Sequence, residues 1–244
     1  MRIETFGRDI GQNSWITVEE YESFFTWLKI KPEHKILEVA SGAGGPAIYL
    51  AEQTNGFITG IDINENGIAT AKKSAMKSKN SSKINFELVN ANSKLIFDEN
   101  SFNGLMCIDS MNHFPDRLDV LKDWRRVLLS GGRAVFTDPI VITGAVSNEE
   151  IAVRSSIGYF LFAPEGYNEK LIKQSGFNLI KTEDVTENAA LISGRWFEAR
   201  NRHKNSLIKI EGEERFEGLQ KFFSSVHKLT SEKRLSRVAY FVEK

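Results

Sequence analysis

The segment from Ile36 to Ala47, ILEVASGAGGPA, joins an apolar run that carries one acid to a turn of small residues and a proline. Gly42 and Gly44 let the backbone pass close to a ligand at points where a side chain would collide with it. Pro46 suits the first turn of a helix, where its missing N–H is not needed. The segment therefore predicts a strand, a tight turn and a helix N-terminus, whose unpaired N–H groups face a nucleotide-type cofactor.

Strand-like and helix-like segments alternate on both sides of this turn. Apolar runs typical of strands occur at 35–40, 57–62, 84–89, 102–109, 133–138, 177–184 and 235–242. Before them, residues 17–29 are predicted to form an amphipathic helix with Thr17 as its N-cap and Glu20 as the capping-box partner. The alternation predicts a parallel sheet wound on both sides by helices. The pattern loosens after Asp138, where residues 143–165 are predicted to be irregularly helical and 187–230 mostly helical.

Composition and charge narrow the class of protein. The chain has 32 Lys+Arg and 32 Asp+Glu residues, so its net charge is zero, whereas nucleic-acid-binding domains are more often basic. Residues 1–15 lack the apolar core of a secretion signal, and no apolar run approaches the ~20 residues of a membrane span. The single cysteine, Cys107, excludes an internal disulfide and suits a reducing compartment. We therefore expect a cytoplasmic protein of one domain, 1–244, whose partners include neither nucleic acid nor a membrane.

The glycine turn also fits the fingerprint of a dinucleotide site. Residues 42–47 follow the pattern G-x-G-x-x-A, and Asp62 lies about 20 residues downstream, where the ribose-binding acid is expected. Glu38 argues against a dinucleotide site, because a negative charge in the strand before the turn would repel a pyrophosphate. The Tyr-x-x-x-Lys pair of short-chain dehydrogenases occurs only at Tyr240 and Lys244, too late for a site assembled at earlier strand ends.

Four motifs in order resemble those of class I S-adenosylmethionine (SAM) methyltransferases. They are the run 38–44, the acid Asp62 at the end of the second strand, the pair Asn90-Ala91 after the third, and 124–132 before the fifth. The sequence is most similar to the small-molecule branch of this family. The resemblance implies an α/β, Rossmann-like doubly wound fold. It implies a seven-stranded, mostly parallel sheet with the last strand antiparallel, and helical lid insertions.

The resemblance also implies which residues hold SAM. They are Glu38, Ser41, Gly42, Ala43, Gly44, Asp62, Ile63, Asn90, Ala91, Asn92 and Asp109, with Gln12 and Trp15 from segment 8–16, which is expected to close over SAM. Backbone N–H groups of the glycine turn would face the methionine part, and Glu38 would act on its charged end. Asp62 would accept charge-assisted hydrogen bonds from both ribose hydroxyls, and Ile63 would pack on the adenine. Asn90 and the Ala91 N–H would read the adenine edge.

Two positions depart from the family pattern. Ala40 stands where a glycine is common, and we expect it to be harmless if the backbone there is extended, since an extended backbone accommodates any side chain. Asn90 replaces the usual aspartate; it can still bond the adenine amine, but its lack of charge predicts a lower SAM affinity.

The acceptor is less clearly encoded. No Asn-Pro-Pro-Tyr, Asp-Pro-Pro-Tyr or Pro-Cys motif occurs at the fourth strand, which argues against adenine-N6, glutamine and cytosine-C5 methylation. The spacing Asp109-x-x-x-His113 is similar to that of phosphoethanolamine N-methyltransferases, whose acid and histidine hold and deprotonate an amine. The resemblance implies that Asp109 and His113 are catalytic, with His113 as the general base. Gln12 stands where that group has a capping tyrosine.

The later part of the chain is expected to form the substrate region. Residues 1–30 would form an N-terminal helical cap, 31–140 the SAM-binding core, and 141–166 with 187–232 a helical lid. Tyr159, Phe160 and Trp196 are predicted to contact substrate. The phosphate-binding set of the phosphoethanolamine enzymes is not reproduced, although Arg195, Arg200 and Arg202 are available.

We therefore predict a SAM-dependent methyltransferase that acts on a nitrogen or oxygen of a small-molecule acceptor and functions as a monomer or homodimer. No cluster of His, Cys or Asp has the spacing of a metal site, so no metal is expected. An RNA or protein methyltransferase, a nicotinamide-dependent oxidoreductase and a SAM-binding protein without transferase activity are the alternatives.

Overall fold

The core of the computed structural model, which describes residues 1–244, is a single mixed sheet. Its strands are β1 Lys35–Val39, β2 Phe57–Asp62, β3 Ile84–Leu88, β4 Phe102–Cys107, β5 Leu128–Ile142, β6 Ala163–Pro164, β7 Asn178–Asp184 and β8 Leu235–Glu243. They are ordered β3-β2-β1-β4-β5-β8-β7, and β6 pairs with β5. Only β8 is antiparallel, to both of its neighbours. The doubly wound sheet with an antiparallel last strand is confirmed; the two-residue β6 was not predicted.

Helices cover both faces of this sheet. They are α1 Arg2–Phe6, α2 Val18–Trp27, α3 Gly45–Thr54, α4 Glu65–Ala75, α5 Arg117–Val127, α6 Asn148–Arg154, α7 Tyr167–Gln174, α8 Thr186–Arg202, α9 Lys204–Glu211 and α10 Glu213–Ser231. Successive strand residues point to opposite faces, so Leu37 packs with Trp124 of α5 and Ile172 of α7. Ile36 packs on the other face with Leu50 of α3. None of the helices combines the length and apolar character that crossing a membrane requires.

The strand order reverses between β1 and β4. From β1 the chain proceeds to β2 and β3 on one side, whereas β4 and β5 lie on the other. The loops that leave the carboxyl ends of β1 and β4 therefore diverge and open a crevice, which is where ligands bind in open α/β sheets. The glycine turn follows β1 and Asp109 follows β4, so the topology places both at this crevice.

The segment after β4 differs from the sequence expectation in two respects. β5 begins at Leu128, paired with Phe102, and continues to Ile142, paired with Leu235 of β8, so it is much longer than the predicted 133–138. The only α-helix within 143–165 is the short α6. The irregular helix expected over 143–165 is confirmed only for α6, because the chain on either side of it forms loops and the short strand β6.

Helices α1, α8 and α10 form a roof over the crevice. α8 packs along α10, and α1 packs on α8. Thr17 caps α2 as predicted, and its side chain accepts the Glu20 N–H at 3.2 Å. The reciprocal half of the capping box is wrong, because the Glu20 carboxylate turns inward to Arg237 of β8, whose Nη1 donates at 2.5 Å.

Candidate active site

The glycine turn adopts the conformation that its composition requires. Gly42 and Gly44 have φ values of +55° and +78°, which side chains disfavour, and Gly44 forms the N-cap of α3. A Cβ on Gly44 would lie 2.5 Å from the Phe86 ring, so no larger residue fits without movement. Pro46 lies in the first turn of α3 as predicted. The backbone therefore passes tightly from β1 into the helix and directs the first N–H groups of α3 at the crevice.

Two residues beside this turn also have left-handed backbones. Ala40 has φ +58°, so the extended backbone that would make an alanine harmless at this position is not present. An L-residue in this region costs about 1–2 kcal/mol, which glycine avoids and which explains the glycine common in the family. Asp109 has φ +53° at the end of β4. Strained backbone of this kind concentrates at functional sites, where the surrounding structure holds it in place.

Asp62 ties the end of β2 to the glycine turn. Its Oδ2 accepts the Gly42 N–H and its Oδ1 accepts the Asn64 N–H, both at 2.8 Å. Each carboxylate oxygen has a second lone pair, so both remain able to accept a hydrogen bond from a ligand hydroxyl. Asp62 thus shapes the turn and presents two acceptors to the crevice.

A cavity of about 280 Å³ lies next to Asp62, and we name it the motif cavity. It is lined by Ala40, Ile61, Asp62, Ile63, Val89, Asn90, Ala91, Asn92, Ser110, His113 and Phe114. The structure therefore brings together the predicted adenosine-binding residues from the ends of β2, β3 and β4. Ile63 is 65% exposed, so its side chain is accessible for packing on a flat ligand. The Asn90 Oδ1 accepts the Asn92 N–H at 3.0 Å and so shapes its own loop.

Glu38 is an acid buried without a charged partner. It is 4% exposed, its Oε2 has no hydrogen-bond partner, and the Tyr21 hydroxyl donates weakly to Oε1 at 3.5 Å. Burial raises the pKa of Glu38 to about 8. Nearby, the Ser41 Oγ is also buried and unpaired. An acidic group held in this way suits a cationic ligand, because a positive charge would restore the ionised carboxylate.

Asp109 is fully engaged with the protein. Thr137 Oγ1 and Arg237 Nε donate to its Oδ1 at 2.7 and 2.6 Å, and the Trp15 N–H donates to its Oδ2 at 2.7 Å. Arg237 is completely buried and also holds Glu20, so one guanidinium links two carboxylates. This network fixes the N-terminal segment against β5 and β8. The Asp109 side chain is thus an anchor, and its oxygens face protein donors.

His113 lies in a short 3₁₀ turn after β4. Its Nδ1 is 3.0 Å from the Tyr159 carbonyl oxygen, which can only accept, so in the neutral ring Nδ1 carries the proton. Nε2 then carries the lone pair of the ring, which accepts one long hydrogen bond, from the Asn112 amide nitrogen at 3.4 Å. The ring packs against Phe160 at 5.1 Å between ring centres. This geometry presents one defined proton-accepting nitrogen.

A second cavity, of about 430 Å³, lies under the roof, and we name it the aromatic cavity. Its lining comprises Phe6, Asn13, Ser14, Trp15, Asp109, Asn112, His113, Pro139, Arg154, Ile157, Gly158, Phe160, Trp196, Phe222 and Phe223. Six of these residues are Phe or Trp, and five of their rings pack in a connected set that includes the stacked pair Trp196 and Phe223. His113 lines both cavities and therefore marks their junction.

Several predicted contacts lie elsewhere in the structure. Gln12 is fully buried, and its amide bonds the Ile10 N–H and the Arg8 carbonyl, so it holds its own loop. Trp15 lines the aromatic cavity and not the motif cavity. The Tyr159 side chain is 71% exposed and outside both linings, and only its carbonyl takes part, through His113.

The three arginines named above as available to bind a substrate phosphate contact other groups of the protein. Arg195 donates to the Thr5 carbonyl, Arg200 pairs with Glu211, and Arg202 pairs with Glu4. None of the three lines the aromatic cavity, whose arginine is Arg154. No group of three His, Cys, Asp or Glu side chains is placed to hold a metal ion.

A family model described as a methyltransferase domain matches residues 30–190, well over half of the chain. This chain belongs to the methyltransferase domain family. The match spans the glycine turn, the motif cavity, Asp109 and His113, and it confirms the family that the four sequence motifs indicated. It favours methyl transfer over the nicotinamide alternative.

Individual methyltransferases show the same relationship. The chain is 30% identical over 171 residues to the methyltransferase GfsG of Streptomyces halstedii, covering 68% of this chain and 60% of that one. It is 25% identical over 202 residues to a wheat (Triticum aestivum) phosphoethanolamine N-methyltransferase, covering 83% and 39%. The chain thus spans less than two thirds of the length of either relative.

A solved structure shares the fold. Phosphoethanolamine N-methyltransferase 2 of Haemonchus contortus, in complex with S-adenosyl-L-methionine, superposes with a TM-score of 0.84 at 20% identity. The superposition covers 96% of this chain and 55% of that one. At this identity the likeness establishes the Rossmann-like methyltransferase fold.

Proposed function

We propose that this chain is a SAM-dependent methyltransferase that transfers a methyl group to a nitrogen or oxygen of a small-molecule acceptor. The observation that carries the proposal is the position of His113 at the junction of the motif cavity and the aromatic cavity. A cofactor in the first and an acceptor in the second would meet beside the His113 imidazole, whose Nε2 lone pair accepts only a long hydrogen bond from Asn112. The names of the relatives, phosphoethanolamine N-methyltransferases among them, support an acceptor of small size.

The residues around the motif cavity suit SAM. Asp62 would accept the ribose hydroxyls through the lone pairs that Gly42 and Asn64 leave free. The unpaired Glu38 Oε2 would favour the cationic amino end, and Ile63 would lie on the adenine. When bound, SAM supplies an electrophilic methyl group on a positively charged sulfonium.

The remaining chemistry falls to side chains of the aromatic cavity. His113 Nε2 would take the proton that an N–H or O–H acceptor loses as its lone pair attacks. The Tyr159 carbonyl holds the Nδ1–H and so fixes the tautomer in which Nε2 is the base. Asp109 is a positioning residue, because its three hydrogen bonds secure Trp15 and the β4 end that precedes His113. Rings such as Phe160 and Trp196 would exclude water and orient the acceptor.

The neutral net charge and the roof over the aromatic cavity favour a small acceptor over RNA or a folded protein. Trp196 of this lining belongs to α8, and Phe222 and Phe223 belong to α10, which supports the proposal that 187–232 acts as a lid. A strong dependence of acceptor binding on salt would instead indicate nucleic acid.

Calorimetric titration with SAM, S-adenosylhomocysteine (SAH) and NADH tests the cofactor directly. We expect heat from SAM and SAH and none from NADH, and the reverse result would overturn the proposal. A panel of amines, phenols and carboxylates incubated with SAM, and read by mass spectrometry for a gain of one methyl group, then tests the transfer. His113→Ala should retain SAH binding and lose turnover on any acceptor found. Exclusive methylation of carbon would refute the assignment to nitrogen or oxygen.

A further inference from the structure

Arg154, the last residue of α6, is a buried cation that the mechanism above does not use. It is 3% exposed and lines the aromatic cavity. Its guanidinium packs on two rings, with its Cζ 4.9 Å from the centre of Phe160 and 5.2 Å from that of Phe222. Such stacking stabilises a cation but uses none of its N–H donors.

The hydrogen bonds of this guanidinium are not satisfied by the protein. Nη1 is buried and has no hydrogen-bond partner. Burial lowers the pKa of Arg154 to about 10, which leaves it charged at neutral pH. An unpaired buried charge is costly, so arginine in such a place is normally paired with a carboxylate or an anionic ligand.

No carboxylate of the protein is free to pair with it. The two acids that act on Arg154 electrostatically are Asp109 and Asp138. Arg237 holds Asp109 and Arg117 holds Asp138, each with a shortest contact of 2.6 Å. The remaining titratable group of the cavity lining is His113, which cannot compensate a positive charge.

Arg154 lies close to His113, the proposed base at one end of the aromatic cavity. His113 and Arg154 pack on the same ring, Phe160, at 5.1 and 4.9 Å from its centre. Asn112, which also lines the aromatic cavity, has an unpaired Oδ1 that would accept a hydrogen bond from the same ligand. An anion on Arg154 would therefore hold the rest of a small molecule against the aromatic wall that leads to His113.

We propose that Arg154 binds the anionic group of the methyl acceptor, so that the acceptor is an organic carboxylate or phosphate whose apolar part packs on the aromatic rings. The fork of N–H donors on a guanidinium matches both anions in a bidentate manner. This inference rests on the proposed function, because it takes the aromatic cavity as the acceptor site.

The test uses calorimetry on the SAH-loaded protein with benzoate, phenyl phosphate and the neutral benzamide. We expect wild type to bind at least one anion roughly tenfold to a hundredfold more tightly than benzamide, as one charged hydrogen-bonding group provides. The preferred anion distinguishes a carboxylate from a phosphate acceptor. Arg154→Gln should abolish this preference, and Arg154→Lys should retain part of it.

Arg215→Gln is the matched control, since it removes the same charge from an exposed position on α10. This variant should keep the wild-type preference. SAH binding by every variant would show that its motif cavity is intact. If wild type itself does not bind SAH, that result contradicts the proposed function and leaves the assignment of Arg154 to be judged from the anion titrations. Equal binding of anions and benzamide, no binding of either anion up to its solubility limit, or an undiminished preference in Arg154→Gln would overturn the assignment of Arg154.

Discussion

Glu38→Gln is expected to reduce the loss of folding stability as pH rises. It is also expected to weaken cofactor binding. The substitution keeps the shape of a side chain that is 4% exposed and removes its ability to ionise. Glu38 has an unpaired Oε2, and its only side-chain hydrogen bond is a long one from Tyr21. Ionising this carboxylate in the cofactor-free protein is therefore unfavourable, and the variant escapes that penalty.

The magnitude follows from the pKa. In the folded protein burial raises the pKa of Glu38 from 4.5 to about 8, so between these values the folded state binds more protons than the unfolded state. Stability contributed by this group is complete below the lower value and is lost as pH rises toward the upper one. At 1.36 kcal/mol per pKa unit, the loss between pH 4.5 and 7.5 is about 4 kcal/mol. The Gln amide cannot ionise, so its stability relative to wild type should grow by up to that amount over the same range.

Urea unfolding of wild type and Glu38→Gln at intervals from pH 5 to pH 8 measures this difference. The exposed Glu33→Gln is the control, because it removes a carboxylate from the surface before β1. Calorimetry with SAH in buffers of different ionisation enthalpy adds a second readout. Wild type should release a proton on binding below pH 8 and bind more tightly as pH rises, and Glu38→Gln should do neither. A free energy difference that is independent of pH would refute the reasoning.

Four further outcomes are expected. Asp62→Ala should weaken SAM binding by ~1.5–3 kcal/mol in calorimetry, since it removes a charged acceptor and the hold on Gly42, and unchanged affinity would exclude the ribose role. Ala40→Gly should stabilise the protein by roughly 0.5–1 kcal/mol in urea, because relief of left-handed strain exceeds the added entropy of the unfolded chain; destabilisation would contradict this balance. Arg237→Met should cost about 3–5 kcal/mol by leaving two buried carboxylates without their cation, with partial recovery on adding Glu20→Gln; a smaller loss would show that Asp109 does not depend on this pair. His113→Ala should lower kcat about 10²–10⁴-fold with SAH affinity intact, and full turnover would demote the imidazole to packing.

The motif cavity could be predicted from the sequence because of a property of parallel sheets. Asp62 is the last residue of β2, and Ile63, Asn90 and Ala91 lie within three residues after a strand. The carboxyl ends of parallel strands meet at one edge of the sheet. Placing the strands was therefore enough to gather these residues without knowledge of any side-chain contact. The backbone of Ala40 was not predictable in the same way, because its φ depends on how the turn must bend toward α3.

The aromatic cavity could not be assembled from sequence patterns. Phe160, Trp196 and Phe222 lie on a loop and two helices, and amphipathic periodicity shows that a face is buried without showing which surface covers it. Arg154 at the end of a short helix has the appearance of a solvated residue. The ion pair of Arg237 could have been predicted from the sequence, because this residue interrupts the apolar run of β8. A charge inside a buried strand requires a partner, and here one partner is Asp109.

The Tyr159 carbonyl gives His113 its tautomer, and this origin has an evolutionary consequence. A main-chain oxygen is present whatever residue occupies position 159, so substitutions there leave the orientation of the imidazole unchanged. The exposed Tyr159 side chain can therefore change during evolution without altering which nitrogen of His113 accepts the proton. Insertions or deletions between α6 and β6, which would move the carbonyl itself, are the changes that descendants of this chain should not tolerate.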